Sequence, residues 1–287
     1  MEIVRDGDQS GEGLVLSGGC LADGNAIWAV SAARGKVVRF ADAEALDGRP
    51  TEAVATRGSP SGVAVDADGR VYASDLEHGA ILKIDVENAK YTAIVQDYEG
   101  QPLLGPSSLA FGADGTMYFT DSGPLGESSL DNACGSVFAI TRDESGQVLR
   151  PLALGCLAHP CGICVSPRDD NIVYVAETLR NRVLRFSRRP HGAFLCSVLH
   201  QFSGRIGPSA IAVDPNTGYL YVARYEFDTN TGLISVIDPS GVDQGIVRDI
   251  EIPELAGGEI SALSLNPDAG ELLIFEATSA KLVKLRI

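Results

Sequence analysis

Residues 59–85 read SPSGVAVDADGRVYASDLEHGAILKID. A short apolar run, Val63-Ala64-Val65, ends at Asp66-Ala67-Asp68-Gly69. A second run carrying Tyr72 follows, and a third, Ala80 to Ile84, begins after His78-Gly79. Runs of this length, bounded by Asp-Gly and Gly turn signals, read as three strands joined by hairpins. No apolar stripe recurs at helical period.

The stretch repeats. GPSSLAFGADGTMYFTD starts at Gly105 and HPCGICVSPRDDNIVYVAETLRNRVLRF at His159. GPSAIAVDPNTGYLYVARYEF starts at Gly207 and ISALSLNPDAGELLIFEATSAKLVKL at Ile260. The sixth and least regular copy is GEGLVLSGGCLADGNAIWAVSAARGKVVRF, from Gly11. Aligned on the second strand, the copies place Trp28, Tyr72, Tyr118, Tyr174, Tyr221 and Leu273 in one column, at spacings of 44, 46, 56, 47 and 52 residues. Such a period is that of a four-stranded propeller blade. The expected fold is all-β: one six-bladed β-propeller spanning residues 1–287, with the column side chains packed between blades. The last copy supplies only three strands before the sequence ends. The strand-like Glu2-Ile3-Val4-Arg5 is therefore expected to add the fourth and close the ring, since an unpaired outer edge invites aggregation.

The phrase P-x-G-V-A-V-D-x-D-G-x-V-Y resembles NHL repeats. Gly11-Glu12-Gly13, GPSSLAFGADGTMYFTD and PCGICVSPRDDNIVYVAET resemble the SMP-30/gluconolactonase family, and the V-A-E-T phrase is shared with strictosidine-synthase-like propellers. In metal-dependent members of the SMP-30 family, the resemblance implies a divalent cation, usually calcium, at one mouth of the central channel. Its ligands are a Glu, two Asn and an Asp at the starts of innermost strands, hard oxygen donors of the kind calcium requires.

The matching column here is Glu12, Ser61, Ser107, Cys161, Ser209 and Ser261. Only Glu12 agrees with the family ligands. Serine hydroxyls are weaker donors than carboxylate or amide oxygens, and a thiol suits softer metals. The resulting expectation is a binding or protein-interaction propeller without catalysis and without a cofactor, taking a protein partner or small molecule at the channel mouth. The alternative is a metal-dependent lactone or ester hydrolase with an altered site, in which Glu12 is a catalytic base and a divalent cation such as calcium remains.

Other groups enter the same argument. Three residues beyond the aromatic column stand Ser31, Asp75, Asp121, Glu177, Arg224 and Glu276, either a functional ring or acids that accept hydrogen bonds from the following turn. A thiol nucleophile at Cys161 would need His159 or His200 as its base. Two insertions, Ser122 to Ser136 and Tyr225 to Gly232, exceed what a blade needs. They offer Glu127, Asp131, Asn132, Asp228 and Asn230 as loop binding candidates.

Lys and Arg number 23 against 38 Asp and Glu, a net charge of −15. That balance repels phosphate backbones and anionic membranes, so neither nucleic acid nor membrane is an expected partner. The arginines at 180, 182, 185, 188 and 189 read as a solvated strand edge and loop. The first residues carry no apolar signal segment. Six cysteines form no recognised disulfide or metal framework, which points to a reducing, cytoplasmic setting.

Overall fold

The computed structural model describes residues 1–6, 15–21, 26–42, 45, 49–123, 126–143, 146–203, 207–226, 230–240, 245–255 and 258–287. Six four-stranded antiparallel sheets make up the fold, the six blades expected from the repeats. Contacts divide the chain into two compact units, Met1–Pro106 with Gly258–Ile287, and Ser107–Gly257.

In the first unit, blade one is Gly18–Leu21, Ile27–Ser31, Lys36–Phe40 and Glu52–Ala55. Blade two is Pro60–Val65, Val71–Asp75, Ala80–Asp85 and Lys90–Val95. Blade six joins Ile260–Asn266, Glu271–Glu276 and Lys281–Arg286 to Glu2–Asp6. The first strand of the chain is thus the outer strand of the last blade, with Glu2 opposite Lys284 and Ile3 opposite Val283. An ion pair between Lys284 Nζ and Glu2 at 3.3 Å fixes that edge. A small hairpin, Asp97–Tyr98 with Gln101–Pro102, follows blade two.

The second unit holds the other three blades. Blade three is Pro106–Phe111, Met117–Asp121, Gly135–Asp143 and Gly146–Leu157. Blade four is Pro160–Val165, Ile172–Glu177, Arg182–Arg188 and Phe194–Gln201. Blade five is Ala210–Val213, Leu220–Glu226, Thr231–Ile237 and Ile246–Ile252. Within the segment from Tyr225 to Gly232, Tyr225 and Glu226 continue the ladder, opposite Gly232 and Thr231, and residues 227–229 lie outside the described residues. Less of it is loop than the sequence suggested.

Turn chemistry fixes register. Asp66 accepts the Asp68 and Arg70 amides through Oδ1 (3.0 and 2.9 Å) and Arg70 Nε through Oδ2 (2.7 Å). Gly69 stands at φ +78°, where an L side chain is strained. The turn before Met117 repeats the device, with the Thr116 amide on Asp114 Oδ1 at 2.9 Å and Gly115 at φ +79°.

The column side chains fill the seams between blades. Trp28 packs with Val63 of blade two, and Leu273 with Phe40 of blade one. In the second unit Tyr118 packs with Val173 and Phe186 of blade four, and Tyr174 with Leu220 and Val222 of blade five. Each is 6% exposed or less. Burying side chains of this size stabilises by about 1.5–3 kcal/mol each, which explains why the column recurs. Among the described residues no helix is long and apolar enough to cross a membrane.

Candidate functional site

In blades two, four and six the innermost strand starts opposite the end of the second strand: Pro60 faces Asp75, Pro160 faces Glu177 and Ile260 faces Glu276. The connector entering a blade and the acid ending its second strand therefore meet at one end of the sheet.

In blade two, Asp75 is fully buried and its Oδ1 accepts the amides of Ser59 (3.0 Å) and His78 (3.1 Å). The His78 Nδ1 lies 3.0 Å from the same oxygen, and its Nε2 lies 3.3 Å from the Tyr91 hydroxyl. Burial alone would raise the Asp75 pKa; the two amides and the imidazole outweigh it and hold the carboxyl below its ordinary range. A depression of about 620 Å³ borders His78, between the turn at Leu76 to Gly79 and the hairpin at Asp97 to Pro102. The sequence reading did not single out His78, although its spacing of three from Asp75 places it in the turn that the carboxylate caps.

Blade four shows the same architecture with more charge. Glu177, fully buried, accepts the Ala158 amide (2.8 Å) and Arg180 Nη1 (2.9 Å) through Oε1, and Arg182 Nε (2.5 Å) through Oε2. In blade six Glu276 accepts the Thr278 amide (2.5 Å), the Ser279 amide (2.8 Å) and the Ser279 hydroxyl. These three acids hold the turns and connectors beside them. Arg224 turns elsewhere: its Nε donates to Ser235 Oγ (2.9 Å), its Nη2 is 3.6 Å from Asp249, and its guanidinium lies 4.5 Å above the Phe202 ring. Ser31 and Asp121 are buried.

One residue earlier on the connectors stand Ser59, Gly105, His159, Gly207 and Glu259. Glu259, which the sequence reading missed, is exposed to solvent, yet the protein crowded around its carboxyl and the neighbouring Glu276 carboxylate raise its pKa. Only alignment of the connectors, rather than of the strands, brings it into view. His159, at φ +56°, donates its amide to Ser128 Oγ (3.1 Å). Burial lowers its imidazole pKa, an effect partly offset by a bond to the Ser122 backbone.

The hydroxyl column is engaged in packing. Ser61 Oγ donates to Pro106 O at 2.8 Å and lies 3.1 Å from Ser74 Oγ. Ser261 Oγ donates to Phe275 O at 3.1 Å. In the second unit Thr120 Oγ1 donates to Cys161 O, and Thr178 Oγ1 to Pro208 O, both at 2.7 Å. Ser107, Cys161 and Ser209 are partly buried at their strand starts. Cys161 and His200 occupy the inner and outer strands of blade four. Three strand spacings, about 14 Å of backbone, separate those strands. His200 packs edge-on against Phe202 instead, with ring centroids 4.6 Å apart. Glu12 and Asp228 lie outside the described residues. Glu127, Asp131, Asn132 and Asn230 are exposed, and Asn132 ties its loop together by donating to Glu127 O at 3.2 Å.

Calcium requires six to eight oxygen ligands, carboxylates prominent among them. Among the described residues no three of His, Cys, Asp and Glu come together in a form that holds a metal ion. The Ser61 and Ser261 hydroxyls already serve backbone carbonyls. The described residues therefore do not fit the family cation.

Comparison with known proteins gives the chemistry a context. The sequence profile of the SMP-30/Gluconolactonase/LRE-like region matches residues 16–277. A gluconolactonase of Zymomonas mobilis is 29% identical over 126 residues, covering 42% of this chain and 34% of that protein. A lactonase of Staphylococcus haemolyticus is 27% identical over 178 residues, covering 59% of this chain and 51% of its own length. The matched segments thus span between a third and a half of these relatives. Among solved structures, a gluconolactonase of Xanthomonas campestris superposes with a TM-score of 0.77 at 21% identity, over 99% of this chain and 88% of that one. A calcium-binding regucalcin of Agrobacterium tumefaciens gives 0.74 at 18%, over 96% and 90%. At those identities the structural likeness shows the fold, the six-bladed propeller.

The expectation of a non-catalytic binding module is corrected by the sequence relatives, which are named as lactone-hydrolysing enzymes. It rested on Ser107, Cys161 and Ser209 standing where the resemblance implies metal ligands.

Proposed function

Because the chain belongs to the SMP-30/gluconolactonase/LRE-like family, we propose that it hydrolyses a lactone or a related ester, with the Glu259 carboxylate as general base. The family match over residues 16–277 carries the reading of the reaction class. The position of Glu259 at the start of an innermost strand, open to solvent, supports its role. Ionised Glu259 takes a proton from water as the water oxygen bonds to the carbonyl carbon. The tetrahedral adduct then expels the ring oxygen, which recovers that proton from Glu259, giving a hydroxy acid whose carboxyl ionises in solution. A positioned carboxylate of this kind contributes about 10² to 10⁴ in rate. No step is routed through a metal, since the described residues do not fit one.

Purified protein presented with a panel of five- and six-membered sugar lactones and simple aryl esters is expected to release acid in a pH-stat at a rate unchanged by chelator. Failure to turn over any of the panel contradicts the reading. We read the remaining surface as taking no nucleic acid or membrane partner, in keeping with the charge of −15. None of the six cysteines is in a disulfide, which supports a reducing, cytoplasmic location; fractionation with the protein in a membrane or secreted fraction would contradict it.

A further inference from the structure

A cavity of about 330 Å³ opens in the second unit between blades three and four, within the size range of small-molecule sites. Tyr118 and Phe194 supply its apolar side, packed edge to face with centroids 6.3 Å apart and planes at 82°. Thr116 and Thr141 add hydroxyl groups, and Arg150 and Arg188 add guanidiniums from two different blades. Arg150 stands opposite Ala139 on the outer ladder of blade three. One of its terminal nitrogens lies 3.9 Å from where a Cβ on Gly192 would stand, so it reaches over the turn from Arg189 to Gly192 in blade four.

The charge balance of this cavity is the reverse of the chain's. Acids outnumber bases 38 to 23 overall, yet no carboxylate is among the described residues lining it. Arg188 meets Asp114 at 3.7 Å, a loose pairing. The Arg150 side chain is exposed and makes no hydrogen bond or ion pair with the described residues. Two guanidiniums facing one cavity repel each other unless an anion lies between them. A guanidinium fork matches carboxylate and phosphate oxygens in pairs, while an aromatic wall favours a flat or aliphatic body.

We propose that this cavity binds a small organic anion, its carboxylate or phosphate group on Arg150 and Arg188 and its body against Phe194, behind which Tyr118 is packed. The site is separate from the strand-start residues assigned to hydrolysis, and its test involves no turnover. Isothermal titration of the full chain at low salt uses benzoate, phenyl phosphate, inorganic phosphate and benzyl alcohol as probes. Saturable binding of benzoate or phenyl phosphate is expected, weakened by salt and at least tenfold weaker in Arg150→Gln, whose melting temperature should match the parent because the side chain is exposed. Benzyl alcohol is expected to give no saturable heat. The tighter of the two aromatic anions identifies the head group. Absence of binding by both, equal affinity in Arg150→Gln, or inorganic phosphate binding as tightly as phenyl phosphate overturns the proposal.

Discussion

In blade four the connector reads Ala158-His159-Pro160 and the acid opposite is Glu177; in blade six it reads Gly258-Glu259-Ile260 and the acid is Glu276. Both acids are fully buried at the ends of second strands. Glu177 is neutralised by two guanidiniums and the Ala158 amide. Glu276 takes the amides of Thr278 and Ser279 and one hydroxyl, and it has a second carboxylate, Glu259, close enough to feel its charge. One scaffold position therefore supports two outcomes. Surrounded by cationic donors, an acid becomes a clamp; placed one residue outside the clamp, crowded by protein and beside a like charge, an acid has its pKa raised. This second condition is the one that acid–base chemistry needs.

The comparison predicts unequal costs. Glu177→Ala leaves the Arg182 guanidinium and the buried Ala158 amide without their acceptor and Arg180 with only the Cys156 carbonyl, and is expected to lose about 3–5 kcal/mol. Glu276→Ala removes only neutral donors' acceptor and is expected to lose about 1–3 kcal/mol. Urea denaturation of both variants checks the order, and an equal or reversed cost breaks the comparison.

Close packing sets the next effect. A Cβ on Gly258 would stand 2.5 Å from Glu276 Cδ. Gly258→Ala is thus expected to lose about 1–3 kcal/mol through overpacking, read as a lower urea midpoint at unchanged slope. Gly58 has the same relation to Asp75, with Oδ1 2.4 Å from the added carbon, so Gly58→Ala should behave alike.

Acid dependence follows from Asp75, whose folded pKa is lowered. Its stabilisation is fully present above the ordinary carboxylate pKa and is lost as pH falls through the lower folded value. Asp75→Asn should therefore cost about 1–2 kcal/mol at pH 7. The gap to the parent should narrow as both are titrated toward pH 3, and a gap independent of pH would remove the charge from the account.

The smallest expected effect has the opposite sign. The folded pKa of Glu259 is raised, so its charged form is disfavoured by folding. Stability from its protonated form is present below the ordinary Glu value and is lost as pH rises through the folded one. Glu259→Gln is expected to melt slightly higher than the parent at pH 8 and equally at pH 3.5. A melting temperature lowered at pH 8 would make Glu259 a structural acid like Glu177.

Repeats carry fold information directly, because burial between blades demands a large apolar side chain at Trp28, Tyr72, Tyr118, Tyr174, Tyr221 and Leu273. The same logic anticipated Glu2 to Arg5 as the outer strand of blade six, and the strand observed there is Glu2–Asp6. Site information was carried less well. Ser61 and Ser261 stand in the family ligand column, but their hydroxyls serve Pro106 O and Phe275 O, a use that only three-dimensional neighbours reveal. Glu259 escaped notice because it precedes the strand used for alignment, and because its raised pKa comes from the protein crowded around its carboxyl and from a carboxylate 17 positions later in the chain. Arg150 was hidden for a similar reason: its cavity is closed by a turn of the next blade.

The central claim rests on the proton of Glu259. Hydrolysis of a six-membered sugar lactone by the parent and by Glu259→Gln, followed by pH-stat from pH 4 to 9, tests it most directly. The account predicts that the parent's rate rises with pH through an apparent pKa above the ordinary Glu range, and that Glu259→Gln loses about 100-fold or more in kcat with KM little changed. A variant that retains the parent's rate and its acidic limb would contradict the assignment.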